Sequence, residues 1–388
     1  MFLILKQETA GSENYPETGF QHSGKIKRFL KSIKPLLNRS CFKIKRNKPL
    51  NDSGEYQAVL VKFLCSCAGA VLMTVTACAE EKTDPLPSWN DTALKQKILT
   101  FVTETTTVGH ANYLPKEERI AVFDNDGTLW AEQPHYAQTY FIRDRIKEMA
   151  SDFPEWEHTE PFKRTIQSEG AYVPHMTSQE SGLLSLKIYE NRNQEELVAE
   201  VRNWFRTARH PDSGKPYSSV VYVPMIELLN YLRQNDYKTW IVSGGGVSFI
   251  RAISEEFYAV PPEQVIGSSL KLAFRNETGK LSIIYQPKVD LYNEGKEKAV
   301  SIERIIGRRP VIAFGNGDND LQMLQWTAER KPNLVVLIHH TDAAREWQYD
   351  RGSNIGKLDV ALDEAVQKSW NIIDMKKDWK KIFSDEIR

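Results

Sequence analysis

The chain has 388 residues, balances 51 Lys and Arg against 51 Asp and Glu, and is 41% hydrophobic. That is room for about two domains, or one domain with a large insertion, in an ordinary globular composition. With no net charge there is no overall field to attract nucleic acid, which is not expected as a partner.

The charge is uneven. Residues 25–48 are strongly basic and almost free of acids. The cysteines are Cys41, Cys65, Cys67 and Cys78, so nothing after Cys78 supports a disulfide, thiol chemistry or Cys metal ligation. Residues 58–77, AVLVKFLCSCAGAVLMTVTA, have the length of a spanning helix, but Lys62 leaves only a short apolar run after it. The run ends in VTAC, which resembles the lipobox of bacterial lipoproteins, where the Cys is lipidated and becomes the mature N-terminus. The resemblance implies a lipid anchor on Cys78 and a place in a bacterial cell envelope. Ala79 is not the Asp that favours inner-membrane retention, so the periplasmic face of the outer membrane is expected. The alternatives are an uncleaved N-terminal helix serving as anchor, or a buried helix. The expected layout is an upstream extension or basic arm over 1–59, a signal region over 60–77 and a polar tether over 78–90.

From Asp91 the pattern is globular. DTALKQKILTFVTETT has helical spacing with Asn90 or Asp91 as N-cap. RIAVFDNDGT reads as a buried strand running into a loop that carries Asp124 and Asp126. Buried carboxylates cost several kcal/mol unless paired or bound to a cation, so this placement demands a partner. AEQPHYAQTYFIRDRIKEMA then reads as helix, and NRNQEELVAEVRNWF puts Leu197, Val198, Val201, Trp204 and Phe205 on one helical face. The helix PMIELLNYLRQN precedes a second strand, KTWIVSGGG, which ends in Ser243 and three glycines. VSFIRAISEEF looks helical, EQVIGSSL is a third strand, RRPVIAFGNGDND a fourth and PNLVVLIHH a fifth. Strands alternating with helices predict an α/β fold with a parallel sheet and a ligand site at the carboxyl ends of its strands.

The polar residues gather at those ends: Asp124, Asp126, Ser243 and Asn316 to Asp320, with Lys296 and Lys298 between. Acids hold Mg²⁺, a hard cation that takes oxygen ligands. A hydroxyl, a helix N-terminus and a lysine neutralise phosphoryl oxygens, and a carboxylate can act as nucleophile.

In order, FDNDGT, VSGG, the lysine of NEGKEKA and GNGDND resemble the four signatures of the haloacid dehalogenase (HAD) superfamily, in its phosphoserine-phosphatase-like branch. The resemblance implies a Rossmann-like core over 91–130 and 216–388 with a helical cap inserted at 131–215. It implies a Mg²⁺-dependent phosphomonoester hydrolase acting on a small phosphorylated metabolite. Asp124 would be nucleophile and metal ligand. Asp126 would be general acid and then base, with its carbonyl on the metal. Ser243 and Gly244 would hold the phosphoryl group, Thr128 would join them at the substrate, and Lys296 would neutralise Asp124, with Lys298 as its competitor. Glu132 would bind substrate, although the family's Glu stands one residue further along. The acidic motif departs from the family pattern: Asn316 stands where an acid is usual, which leaves Asn316, Asp318 and Asp320 to share the metal. His135, His339 and His340 read as structural. Asp126 disfavours a dehalogenase, which needs no acid there. A phosphotransferase or phosphomutase on the same core, and a non-enzymatic surface lipoprotein, are the other readings.

Overall fold

The computed structural model describes residues 83–168 and 173–385. The basic arm, the signal region and Cys78 lie outside them. None of the described helices is long and apolar enough to cross a membrane.

The central sheet has seven strands in the order β4-β3-β2-β1-β5-β6-β7. They are β1 (Ile120–Phe123), β2 (Lys238–Gly246), β3 (Val265–Glu277), β4 (Lys280–Leu291), β5 (Ile312–Gly315), β6 (Leu334–His339) and β7 (Asn371–Asp374). All neighbours run parallel except β3 and β4, which form an antiparallel hairpin. The chain leaves β1 for β2 on one side and later returns to β5 on the other. The strand order therefore reverses at β1, and that reversal opens a crevice beyond its carboxyl end.

β1 is buried along its whole length because both faces of the sheet are covered. Ala121 and Phe123 point into one core, and Ile120 and Val122 into the other. Helices α1 (Ala93–Thr106), α2 (Ala137–Met149), α3 (Ser178–Tyr189), α4 (Gln194–Thr207) and α5 (Val223–Gln234) supply residues to the first core. Helices α6 (Lys296–Ile306), α7 (Leu321–Ala328) and α8 (Val360–Gln367) pack on the second.

Between β1 and β2 the chain makes the helical insertion, bracketed by a bridge between Trp130 and Val221. α4 starts where Asn193 Oδ1 accepts the N–H groups of Glu195 and Glu196, with both acids in the favourable first turn. Its Leu197, Val201 and Phe205 are buried at i, i+4 and i+8, and Val198 and Trp204 pack half-buried beside them. Phe205 and Trp204 lie against Phe249, just beyond β2, so the insertion and the sheet share one core. α2 begins only at Ala137, whereas the sequence predicts helix from Ala131. Residues 131–136 instead form the loop that leads from the strand into the insertion.

The tether requires a correction at its C-terminal end. Leu86 and Trp89 are buried, with Trp89 edge-on to Trp379, and Ser88 Oγ donates to Glu227 at 2.6 Å. Asp84 pairs with Lys95 at 2.5 Å. Two large apolar side chains in a short segment were enough to draw it onto the core.

Candidate active site

Asp124 comes directly after β1, and its backbone N–H donates to the Phe314 carbonyl of the neighbouring β5 at 3.0 Å. Gly127 turns the loop with φ +72, a conformation that L side chains avoid. A Cβ there would stand 2.0 Å from Asn316 Nδ2, so the β1 and β5 loops touch through this glycine.

Lys298 joins the two strand ends. It lies in the first turn of α6, fully buried, and its Nζ donates to Asp124 Oδ1 at 2.7 Å and to Asp320 Oδ1 at 2.6 Å. This corrects the expectation for Lys296, which is not buried on the same helix and makes no ion pair among the described residues. Residues two apart in a helix differ in direction by about 200°, so only one of the two lysines can face the strand ends.

Asp320 Oδ2 accepts the backbone N–H groups of Asn316 and Gly317 at 2.9 and 3.1 Å, which closes the β5 loop on itself. Asp318 faces elsewhere. Its Oδ1 accepts the N–H groups of Asp359 and Ala361 at 3.0 and 2.9 Å and so caps α8, which corrects its expected place among the metal ligands. Asn316 is held at both ends of its carboxamide. Thr128 Oγ1 donates to its Oδ1 at 3.0 Å, and its Nδ2 donates to Glu132 Oε1 at 2.7 Å. Thr128 and Glu132, both expected at the substrate, thus engage the β5 loop. Glu132 also accepts Tyr349 Oη at 2.9 Å.

On the other side of β1, Ser243 Oγ accepts the N–H of Gly245 at 3.0 Å, and Asn293 Nδ2 donates to the Ser243 carbonyl at 2.9 Å. Ser301 Oγ in turn donates to Asn293 Oδ1 at 2.6 Å. Gly244 is packed against Glu294, whose Oε1 would lie 2.3 Å from a Cβ there. Gln138 of α2 reaches down from the insertion, and its Oε1 accepts the N–H of Gly246 at 2.8 Å.

The electrostatics stem from burial. Asp124 is pushed up to about 8, by desolvation first and then by Asp320, against the pull of Lys298. Asp126 is raised by burial, partly opposed by the Trp130 indole N–H, which donates to its Oδ1 at 2.8 Å. Glu132 is raised well above the usual range by burial and then by Asp126. Lys298 is held charged: the two carboxylates outweigh its desolvation. Lys298 moves upward because one ammonium faces two carboxylates, whereas Asp124 moves upward because burial and then Asp320 outweigh the pull of Lys298. Burial lowers His135 to about 4, so its ring is neutral, and its Nδ1 accepts the Tyr136 N–H at 2.9 Å. Burial keeps the Tyr136 hydroxyl protonated, reinforced by Glu132, Asp126, Glu294 and Asp124.

When ionised, the buried acids of the site outnumber its one buried lysine, and their oxygen donors suit a hard divalent cation. Among the described residues no three Asp, Glu, His or Cys side chains are gathered closely enough to hold a metal by themselves. Asp124, the Asp126 carbonyl and the Asn316 carboxamide include only one acid side chain, which is consistent with that spacing.

A model of the haloacid dehalogenase-like hydrolase family matches residues 121–325, more than half of the chain. The chain belongs to this family. No curated protein matches it. Among solved structures, a conserved protein of unknown function from Anaerococcus prevotii is similar at 16% identity, over 72% of this chain and 91% of that one, with a TM-score of 0.47. A probable phosphoserine phosphatase from Vibrio cholerae is similar at 19% identity, over 65% and 67%, with a TM-score of 0.32. A cytosolic 5′-nucleotidase bound to cytidine is similar at 15% identity, over 64% and 80%, with a TM-score of 0.34. As a family member the chain is a HAD-fold hydrolase, and its seven-stranded sheet with flanking helices is the α/β core expected from sequence.

Sequence reasoning assigned no role to Asn293 and Glu294, which touch the Ser243 loop, or to Tyr349. The first two stand just before Gly295 and Lys296 in the stretch already singled out. Tyr349 carries no motif at all. His340 reads as structural and is so placed, with Nε2 2.9 Å from the Gly127 carbonyl. His339, the last residue of β6, has its Nε2 3.4 Å from Asp350 Oδ2.

Proposed function

We propose that the protein is a Mg²⁺-dependent phosphomonoester hydrolase that works through a phosphorylated Asp124, outside the cytoplasm. The observation that carries this reading is Lys298 bridging Asp124 and Asp320 at the reversal point of the sheet, with Asp126 two residues on and Ser243 on the adjacent strand.

Asp124, the Asp126 carbonyl and Asn316 would hold the cation, which when bound offsets negative charge on the phosphoryl oxygens. In the first step an Asp124 carboxylate oxygen attacks phosphorus, and the bond from phosphorus to the ester oxygen breaks. Asp126 gives its proton to that oxygen, and burial raises its affinity for that proton, as a general acid requires. In the second step Asp126 takes a proton from water, the water oxygen attacks phosphorus, and the bond to Asp124 breaks. Lys298 neutralises Asp124 and Asp320 throughout. Ser243 Oγ and the Gly244 N–H bind phosphoryl oxygens. The insertion closes the site through Gln138 on Gly246, which keeps water out during the first step and must open for the substrate to enter. A small phosphorylated metabolite is the substrate, and the lipid anchor on Cys78 accounts for the location.

The test is hydrolysis of an aryl phosphate, then of a panel of metabolite phosphates, with and without Mg²⁺. Mg²⁺-dependent turnover that Asp124→Asn abolishes is expected. No turnover on any of these by the wild type would defeat the reading.

A further inference from the structure

The β5 loop is short of one charge, and the loop after β1 has one to spare. Asn316 is neutral where the family resemblance expects an acid. Glu132 is a carboxylate 2% exposed, and among the described residues no cation stands within ion-pair distance of it. Its hydrogen bonds come from neutral donors, the Asn316 carboxamide at 2.7 Å and the Tyr349 hydroxyl at 2.9 Å. A buried carboxylate without a counter-charge is costly, and this one is not loosely placed. Tyr349 stacks on His340 at 4.3 Å, His340 contacts the Gly127 carbonyl and Glu346, and Glu346 accepts from Tyr222 Oη at 2.7 Å. Gly127 lies directly under the pair, since a Cβ there would come within 2.5 Å of Glu132 Oε1 as well as reaching Asn316. When all four are ionised, Asp124, Asp126, Glu132 and Asp320 set against Lys298 leave an excess of negative charge for a cation to offset.

We propose that Glu132 supplies the negative charge that Asn316 lacks. The two side chains, separated by 184 residues in sequence, do together what one acid does in the usual motif. Glu132 holds the carboxamide by its Nδ2, which leaves Oδ1 turned to Thr128 in the nucleophile loop, and adds buried charge beside the cation. It is a positioning residue, not a reader of the leaving group. The inference rests on the cation dependence proposed above.

The experiment measures Mn²⁺ binding, by the electron paramagnetic resonance signal of the free ion, without substrate. The proteins are the wild type, Glu132→Gln, Tyr349→Phe and the exchange Glu132→Gln with Asn316→Asp. Glu132→Gln should weaken Mn²⁺ by about 10- to 100-fold, the range for residues that support metal ligands. Tyr349→Phe removes the other hydrogen bond but keeps the charge, so its affinity should stay near the wild-type value. The exchange restores one acid and one amide in contact and should recover affinity. If Glu132→Gln binds Mn²⁺ like the wild type, or if the exchange binds no better than Glu132→Gln, the proposal is wrong. Unchanged Mn²⁺ affinity with a raised KM for the phosphate ester would instead assign Glu132 to substrate. If Glu132→Gln does not fold, the exchange decides alone: a folded exchange protein that binds Mn²⁺ weakly overturns the proposal. Absence of Mn²⁺ binding by the wild type also overturns it. Because Mn²⁺ binding is read without substrate and separately from any kinetic measurement, an inactive but Mn²⁺-binding protein would sink the hydrolase reading and leave this inference standing.

Discussion

β1 and β5 are adjacent parallel strands, and each runs into a short loop of acids, amides and a glycine. The loops use those groups differently. After β1, Asp124 meets the ammonium of Lys298, and Asp126 takes an indole N–H from Trp130. After β5, Asp318 caps α8, Asp320 closes its own loop and meets Lys298, and Asn316 is clamped between Thr128 and Glu132. The difference comes from the segment into which each strand leads. The β1 loop enters the insertion, which leaves its acids at the crevice. The β5 loop enters a helical turn at once, and unpaired N–H groups there and at α8 draw the acids to themselves. Residue type and spacing alone do not say which acid stays available.

The sharpest way to break this contrast is to remove one acid from each loop. Asp124→Asn should reduce aryl phosphate hydrolysis to background, whereas Asp318→Asn should keep most of the wild-type kcat. Equal losses would place both acids in the chemistry. Next is Lys298, which serves both loops. Lys298→Met leaves two buried carboxylates without their cation and should cost about 3–5 kcal/mol in denaturant unfolding. Lys296→Met, on the outward face, should stay within about 0.5 kcal/mol. The reverse order would restore Lys296 to the site.

A third test uses pH. Asp124 is raised from 3.8 to about 8, and Asp126 and Glu132 also shift upward. Between about pH 4 and pH 8 the folded metal-free protein therefore holds protons that the unfolded chain has released, so its stability should fall as pH rises. Thermal unfolding in a chelator should show that decline, and Mg²⁺ should flatten it by replacing the protons. A flat profile without metal would mean that another group compensates these acids. A modest effect concerns the cap on α8: Asp318→Ala should cost about 1 kcal/mol of stability, the usual value for a lost N-cap, with no change in metal affinity.

The same contrast marks how far the sequence could be read. β1, β2, β5 and β6 were legible because short apolar runs buried on both faces stop at polar loops, and α4 because its apolar stripe repeats at i, i+4 and i+8. β4 was not, since the β3–β4 hairpin exposes Leu272, Phe274, Leu281 and Ile283 and so lacks a clean buried face. Its turn also lacks the usual signature: Thr278 and Gly279 both have positive φ, as a two-residue hairpin loop requires, but a β-branched Thr stands where Asn, Asp or Gly is favoured. Lys298 over Lys296 depended on where α6 starts, which spacing does not give. The contact between Glu132 and Asn316 depended on the fold itself, because nothing local to either residue refers to the other.

The central claim is that Asp124 carries the phosphoryl group. Rapid-quench mass spectrometry of the protein mixed with an aryl phosphate and Mg²⁺ measures this directly. The account predicts one added phosphoryl group on the peptide containing Asp124 during turnover, absent from Asp124→Asn. Phosphate release with Asp124 unmodified, or the group found on another residue, would contradict it.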